Sequence, residues 1–136
     1  MQSRVLPASI WCAVIALGLL IRAVLAGAPA KYLGVALWAM SVYFLLLVIS
    51  PRMRPVHALV WCLVISWGVE LAQITGIPRR FSSMHPLLRL VFGEVYNPAD
   101  LVALAAGSAA GWAVWVALGR IRARKSGESA GLETPR

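Results

Sequence analysis

The chain has 136 residues, of which 60% are hydrophobic and 13% are charged, and its formal net charge is +8. With a mean hydropathy of +0.78, a chain this short cannot hide its apolar surface from water, so the composition excludes a soluble domain and indicates that lipid is the solvent. The basic excess does not predict nucleic-acid binding, because no basic helix is interleaved with aromatic residues. Much of it forms one tail cluster suited to anionic lipid headgroups, namely Arg120, Arg122, Arg124 and Lys125.

Four apolar runs follow one another along the chain. Roughly 20 helical residues cross a hydrocarbon core of about 30 Å, and each run is close to that length. A proline stands between successive runs, where a helix stops or starts. We therefore predict an all-α membrane protein with one domain over residues 1–125 and a disordered tail over 126–136. The expected transmembrane helices cover about 5–26, 32–50, 56–75 and 98–119.

The first run has an alternative interpretation as a cleaved signal peptide. Arg4 precedes it, and Ala26-Gly27-Ala28 resembles a cleavage site. However, its apolar part is longer than a usual signal core, Arg22 interrupts the approach to that site, and three further runs follow. We interpret it as a transmembrane helix.

The flanking charges predict the orientation. Seven Lys and Arg residues flank the side shared by both termini and five flank the other, which places both termini in the cytoplasm. The first group comprises Arg4, Arg52, Arg54, Arg120, Arg122, Arg124 and Lys125, and the second Arg22, Lys31, Arg79, Arg80 and Arg89.

Polar residues at the helix ends predict a ligand-binding pocket in the outer leaflet. An ionisable group inside a span costs about 2.5–3.5 kcal/mol, so such groups usually face the bundle interior and find partners. The candidates near the outer ends of the helices are Arg22, Tyr32, Glu70, Gln73 and Asp100, with Lys31 at the same level.

Several of these residues have structural explanations as well. Glu70 shares a helical face with Gln73 and can serve a ligand or proton site, pair with Arg22 to hold the helices together, or reach the membrane surface. Asp100 follows Asn97-Pro98, a sequence typical of a helix start, so capping alone can explain it.

A stripe of small residues follows Asp100 in the fourth run. Gly107 and Gly111 lie four residues apart on one helical face, a spacing that lets another helix approach closely. We assign these two glycines to helix packing rather than to chemistry.

The segment between the third and fourth runs is long for a compact bundle. Apolar residues after His85-Pro86 predict a short helix lying in the membrane interface. Arg79, Arg80 and Arg89 in this segment can bind phosphate or carboxylate headgroups at the rim of the pocket, although ordinary lipid contact is an alternative.

Signals for catalysis, metals and cofactors are weak. Nucleotide and hydrolase motifs are absent, and a triad of Ser82 or Ser83 with His85 and Asp100 is not required by the spacing. Cys12 and Cys62 have no histidine or second cysteine at ligand spacing. We predict no catalytic residue, no metal site and no cofactor.

A series of residues and short motifs runs through all four apolar runs, namely Arg22, Tyr32-Leu33-Gly34, Leu37-Trp38-Ala39, Tyr43, Glu70-Leu71-Ala72-Gln73, Asp100-Leu101 and Gly107. With these residues the chain resembles the domain of unknown function 2809 family of small bacterial membrane proteins over nearly its whole length. More distantly, the E-x-x-Q helix end, the polar loop and the Asp-led helix resemble VanZ-like proteins, some linked to glycopeptide resistance. The family tends to have Asp where this chain has Val35 and Tyr where it has Leu104.

The residues and the resemblance together imply a multi-pass protein of the bacterial inner membrane. Its expected role is to bind an anionic or amphiphilic envelope molecule among membrane lipids. The alternatives are a small proton-coupled transporter component that oligomerises through the Gly107 and Gly111 face, and an enzyme acting on envelope lipid.

Overall fold

The computed structural model describes residues 4–77, 80, 84, 85, 87 and 96–132, with side chains through residue 127. These residues contain no strand. Their long helices are α1 (Val5–Val24), α2 (Gly27–Ile49), α3 (Pro55–Ala72) and α4 (Pro98–Leu132), and a 3-10 turn over Gln73–Thr75 follows α3. Most of the predicted interfacial helix falls outside the described residues.

All four helices are long and apolar enough to cross a membrane. The candidate spans are Val5–Val24, Gly27–Ile49, Pro55–Thr75 and Pro98–Gly127. The shortest, 20 residues, covers about 30 Å at 1.5 Å per residue. The predicted all-α fold with four candidate membrane spans is confirmed.

The start of α2 differs from the sequence prediction. Helix α2 begins at Gly27 rather than near residue 32, because Pro29 lies in the first helical turn, where its missing N–H breaks no hydrogen bond. Gly27 has φ +74°, a conformation that favours glycine, and only Leu25 and Ala26 separate α1 from α2. This short link holds the two helices side by side.

The C-terminal tail also differs from its prediction. The sequence predicts disorder over residues 126–136, whereas α4 continues without a break through Leu132, and residues 133–136 lie outside the described part of the structure. Arg, Ala and Lys, which precede this segment, are all good helix formers, so the helix can propagate beyond the membrane span.

Helix α2 is the centre of the bundle. It packs against α1, α3 and α4, and α3 packs against α4, whereas α1 packs substantially against α2 alone among the described helices. The core comprises Val14, Tyr43, Phe44, Leu47, Ala58 and Cys62. Because α1 and α3 do not pack along each other, an open space remains between them.

Helices α2 and α4 run in the same direction and approach each other closely. A Cβ atom on Gly107 would clash with the backbone of Ala36, and one on Gly111 would lie 3.1 Å from the Tyr43 ring. The small-residue stripe therefore contacts α2 of the same chain. This occupied face is not available for a second copy, which removes the basis for the predicted oligomer contact.

Candidate functional site

A cavity of about 720 Å³ fills the space between α1 and α3, with α2 beneath it and the start of α4 at one end. Its sides are mainly apolar, with Leu19, Leu37 and Trp38 among the lining residues. Its polar lining consists of Arg22, Lys31, Ser41, Ser66, Glu70, Gln73 and Asp100. The volume lies in the range of about 300–1,000 Å³ that is typical of small-molecule sites.

The charged lining residues gather at one end of the bundle. This end holds the last turns of α1 and α3 and the first turns of α2 and α4. An ion pair joins α2 to α4, because Lys31 Nζ lies 3.0 Å from Asp100 Oδ1. The Asp100 side chain is only 7% exposed, whereas that of Lys31 is 45% exposed. Loss of the ion pair would therefore destabilise the buried Asp100 carboxylate more than the Lys31 ammonium, which water can still reach.

Glu70 is held by a second set of contacts. Its Oε2 accepts a hydrogen bond of 3.0 Å from Gln73 Nε2, and its Oε1 accepts one of 2.9 Å from the backbone N–H of Asn97. Glu70 is 6% exposed. These bonds tie the end of α3 to the start of α4.

Asn97 organises the start of α4, as the capping sequence predicts. Its Oδ1 accepts from the N–H of Ala99 at 3.2 Å, and its Nδ2 donates to Asp100 Oδ1 at 3.2 Å. The carboxylate also lies in the first turn, where negative charge is stabilised by the helix dipole. Asn97 therefore caps α4, and Asp100 holds the Asn97 side chain while it also lines the cavity.

The prediction of an ion pair between Arg22 and Glu70 is wrong. Glu70 is bonded to Gln73 and Asn97, while Arg22 is exposed and forms no ion pair within the described part of the chain. Both residues nevertheless line the cavity. Arg22 is therefore a cation at the cavity wall without a partner of its own among the described side chains.

The other predicted site residues have varied positions. Tyr32 is 37% exposed and lies beside Lys31, whose Nζ is 5.4 Å from its ring centroid, rather than among the described lining residues. Arg80 is an exposed helical residue. Arg79 and Arg89 lie outside the described residues.

Sequence reasoning did not select Lys31 as a binding residue. The signal was present, because a lysine in an apolar helix requires an anionic partner at its own level, and Asp100 satisfies that condition. Ser66, deeper in the cavity wall, shares a helical face with Glu70 and Gln73, a spacing visible in the sequence, whereas Ser41 carries no distinctive sequence signal.

A second polar cluster lies below the cavity. The thiol of buried Cys62 is 3.2 Å from the Ala39 carbonyl oxygen and 3.2 Å from Ser108 Oγ, and it lies 3.9 Å from Ser66 Oγ. These contacts link α3 to α2 and α4. Cys12, in contrast, is exposed on α1.

The described residues provide neither a metal cluster nor the triad considered from the sequence. No group of three or more His, Cys, Asp or Glu side chains converges among them. His85 Nδ1 accepts the backbone N–H of Leu87 at 3.2 Å, and Asp100 pairs with Lys31 instead. Ser82 and Ser83 lie outside the described part of the structure.

Comparison with known proteins identifies the family. The sequence model described as protein of unknown function (DUF2809) matches residues 24–108. The chain belongs to the DUF2809 family. The matched region includes Lys31, Glu70, Gln73 and Asp100 of the cavity wall but not Arg22. No curated protein and no solved structure matches the chain.

The two departures from the resemblance fall in this same wall. Val35 and Leu104 both line the cavity.

Proposed function

We propose that this DUF2809 protein binds an anionic or amphiphilic envelope molecule in the cavity between α1 and α3. The observation that carries the proposal is the lining, in which charged groups collect at one end and apolar side chains cover the rest. An amphiphile has the same division, because its headgroup needs polar partners and its chain needs apolar surface.

The position of the cavity supports entry from the lipid phase. Helix α1 packs substantially on α2 alone among the described helices, and the lining residues Ile15 and Leu19 are 37% and 55% exposed. The side of the cavity formed by α1 is therefore continuous with the outer surface of the bundle. A lipid-soluble ligand can reach such a site without crossing water.

The family resemblance supports a location in the bacterial inner membrane, and the charge count along the chain supports an orientation with both termini cytoplasmic. The charged end of the cavity then lies in the outer leaflet, where envelope precursors and anionic lipids are available. The distant resemblance to VanZ-like proteins supports the proposal of an envelope-modulating role. The transporter alternative has less support, because its proposed oligomer face packs against α2.

The proposed roles of the side chains are distinct. Arg22 attracts the anionic group, since guanidinium matches phosphate and carboxylate geometry and this one is exposed without a partner among the described residues. Glu70 and Gln73 select the polar groups of the ligand through directed hydrogen bonds.

Lipid profiles of purified protein at two salt concentrations test this assignment. We expect wild type to retain a lipid enriched over the bulk membrane, Arg22→Gln to retain less of it with weaker salt sensitivity, and Glu70→Gln to retain a different species. Profiles of all three proteins that match the bulk membrane would contradict the proposal.

A further inference from the structure

The cavity wall presents both signs of charge to the same space. Arg22 lies at the wall without an ion-pair partner in the described chain, while the carboxylates of Glu70 and Asp100 line the same end. Lys31 is already paired with Asp100. A purely anionic headgroup would meet Arg22 but would also be placed beside two carboxylates.

The carboxylates have hydrogen-bonding capacity left for a ligand. A carboxylate can accept at about four lone-pair positions. Glu70 uses one on each oxygen, for Gln73 and Asn97. Asp100 accepts from Lys31 and Asn97 through Oδ1, and among the described residues no donor reaches Oδ2. This end of the cavity therefore offers acceptors for N–H or O–H donors as well as one cation.

Resting on the proposed binding function, we propose that the ligand is a zwitterionic amphiphile whose anionic group contacts Arg22 and whose primary ammonium contacts Glu70 and Asp100. Such a headgroup matches both signs of charge in the wall. A cation alone would be repelled by Arg22 and Lys31, and an anion alone by the two carboxylates. A quaternary ammonium carries the charge but has no N–H to donate, so it would bind less well than a primary one.

Three lysophospholipids with the same acyl chain separate these requirements. Lysophosphatidylethanolamine carries a phosphate and a primary ammonium, lysophosphatidylcholine a phosphate and a quaternary ammonium, and lysophosphatidic acid a phosphate alone. Dissociation constants for purified wild-type protein in a neutral detergent, measured by native mass spectrometry, give the ranking directly.

We expect lysophosphatidylethanolamine to bind about tenfold more tightly than the other two probes, as one charge-assisted hydrogen bond implies. Glu70→Gln keeps the size and acceptor oxygen of the side chain but removes its charge, and it should reduce that preference. Arg22→Gln should weaken the binding of all three probes by a similar factor, because all three contain the phosphate.

A cavity-filling variant shows where the probes bind. Gly34 lines the cavity, and a Cβ atom there meets nothing within 4 Å, so Gly34→Leu fills the space without a clash at the backbone. Gly68 in α3 is equally unobstructed but is not a lining residue, which makes Gly68→Leu the matched control. Only Gly34→Leu should abolish binding.

The outcomes separate the two proposals. Tightest binding of lysophosphatidic acid, or equal binding of the ethanolamine and choline probes, with loss in Gly34→Leu, would overturn the zwitterion assignment and leave the cavity as an amphiphile site. Failure of all three probes to bind saturably, or binding unaffected by Gly34→Leu, would overturn both.

Discussion

Removing Lys31 should destabilise the bundle through the carboxylate that it leaves behind. The Lys31–Asp100 distance of 3.0 Å corresponds to an attraction of at most about 5–6 kcal/mol at an effective dielectric constant near 20, before desolvation is subtracted. Breaking a fully buried pair costs about 3–5 kcal/mol. Because Lys31 is 45% exposed, we expect a smaller loss for Lys31→Met, about 2–3 kcal/mol.

The double variant carries the test. Lys31→Met with Asp100→Leu leaves no unpaired charge, so its loss in unfolding free energy should be about 1–2 kcal/mol smaller than the sum of the single losses. SDS-induced unfolding, followed by tryptophan fluorescence, measures the unfolding free energy of each single variant and of the double variant. Arg22→Met with Glu70→Leu is the matched control, and its losses should add because these residues are not paired. Additive losses for Lys31 and Asp100, or coupled losses in the control, would refute this account of the polar end.

Two further substitutions test the packing beneath the cavity. Gly107→Ala should destabilise the protein by about 1–3 kcal/mol or more, because the added Cβ clashes with the backbone of Ala36. Gly119→Ala in the same helix is the control, since its Cβ meets open space and should not destabilise the protein. Thermal unfolding compares the two variants. Cys62→Ala should cost about 1–3 kcal/mol in the same assay, because it removes a buried thiol that contacts α2 and α4, and Cys12→Ala on the exposed face should change stability by less than about 0.5 kcal/mol.

The number of helices and the end of the bundle that carries the polar residues could be predicted from sequence. Bilayer thickness sets the length and hydropathy of each run. Because successive helices cross the membrane in opposite directions, the end of α3 with Glu70 and the start of α4 with Asp100 lie at the same depth in the membrane. Asn97-Pro98 likewise predicts the start of α4, which the structure confirms. These features depend on local sequence alone.

Partner choice could not be predicted in the same way. Whether Asp100 meets Lys31 or Glu70 meets Arg22 depends on how each helix is rotated about its axis, and in an apolar span the hydrophobic pattern does not specify that rotation. The rotation follows from close contacts between distant residues, such as Gly107 against Ala36. The start of α2 was misplaced for a different reason, because Pro29 is tolerated in a first turn as readily as in a loop.

The central claim is that the cavity between α1 and α3 holds an amphiphile in the membrane. Native mass spectrometry of gently solubilised wild type, Gly34→Leu and Gly68→Leu measures this most directly, since Gly34 lines the cavity and Gly68 does not. We predict one retained species of defined mass on wild type and Gly68→Leu, and none on Gly34→Leu. The same bound species on all three proteins, or no specifically bound species on wild type, would contradict the claim.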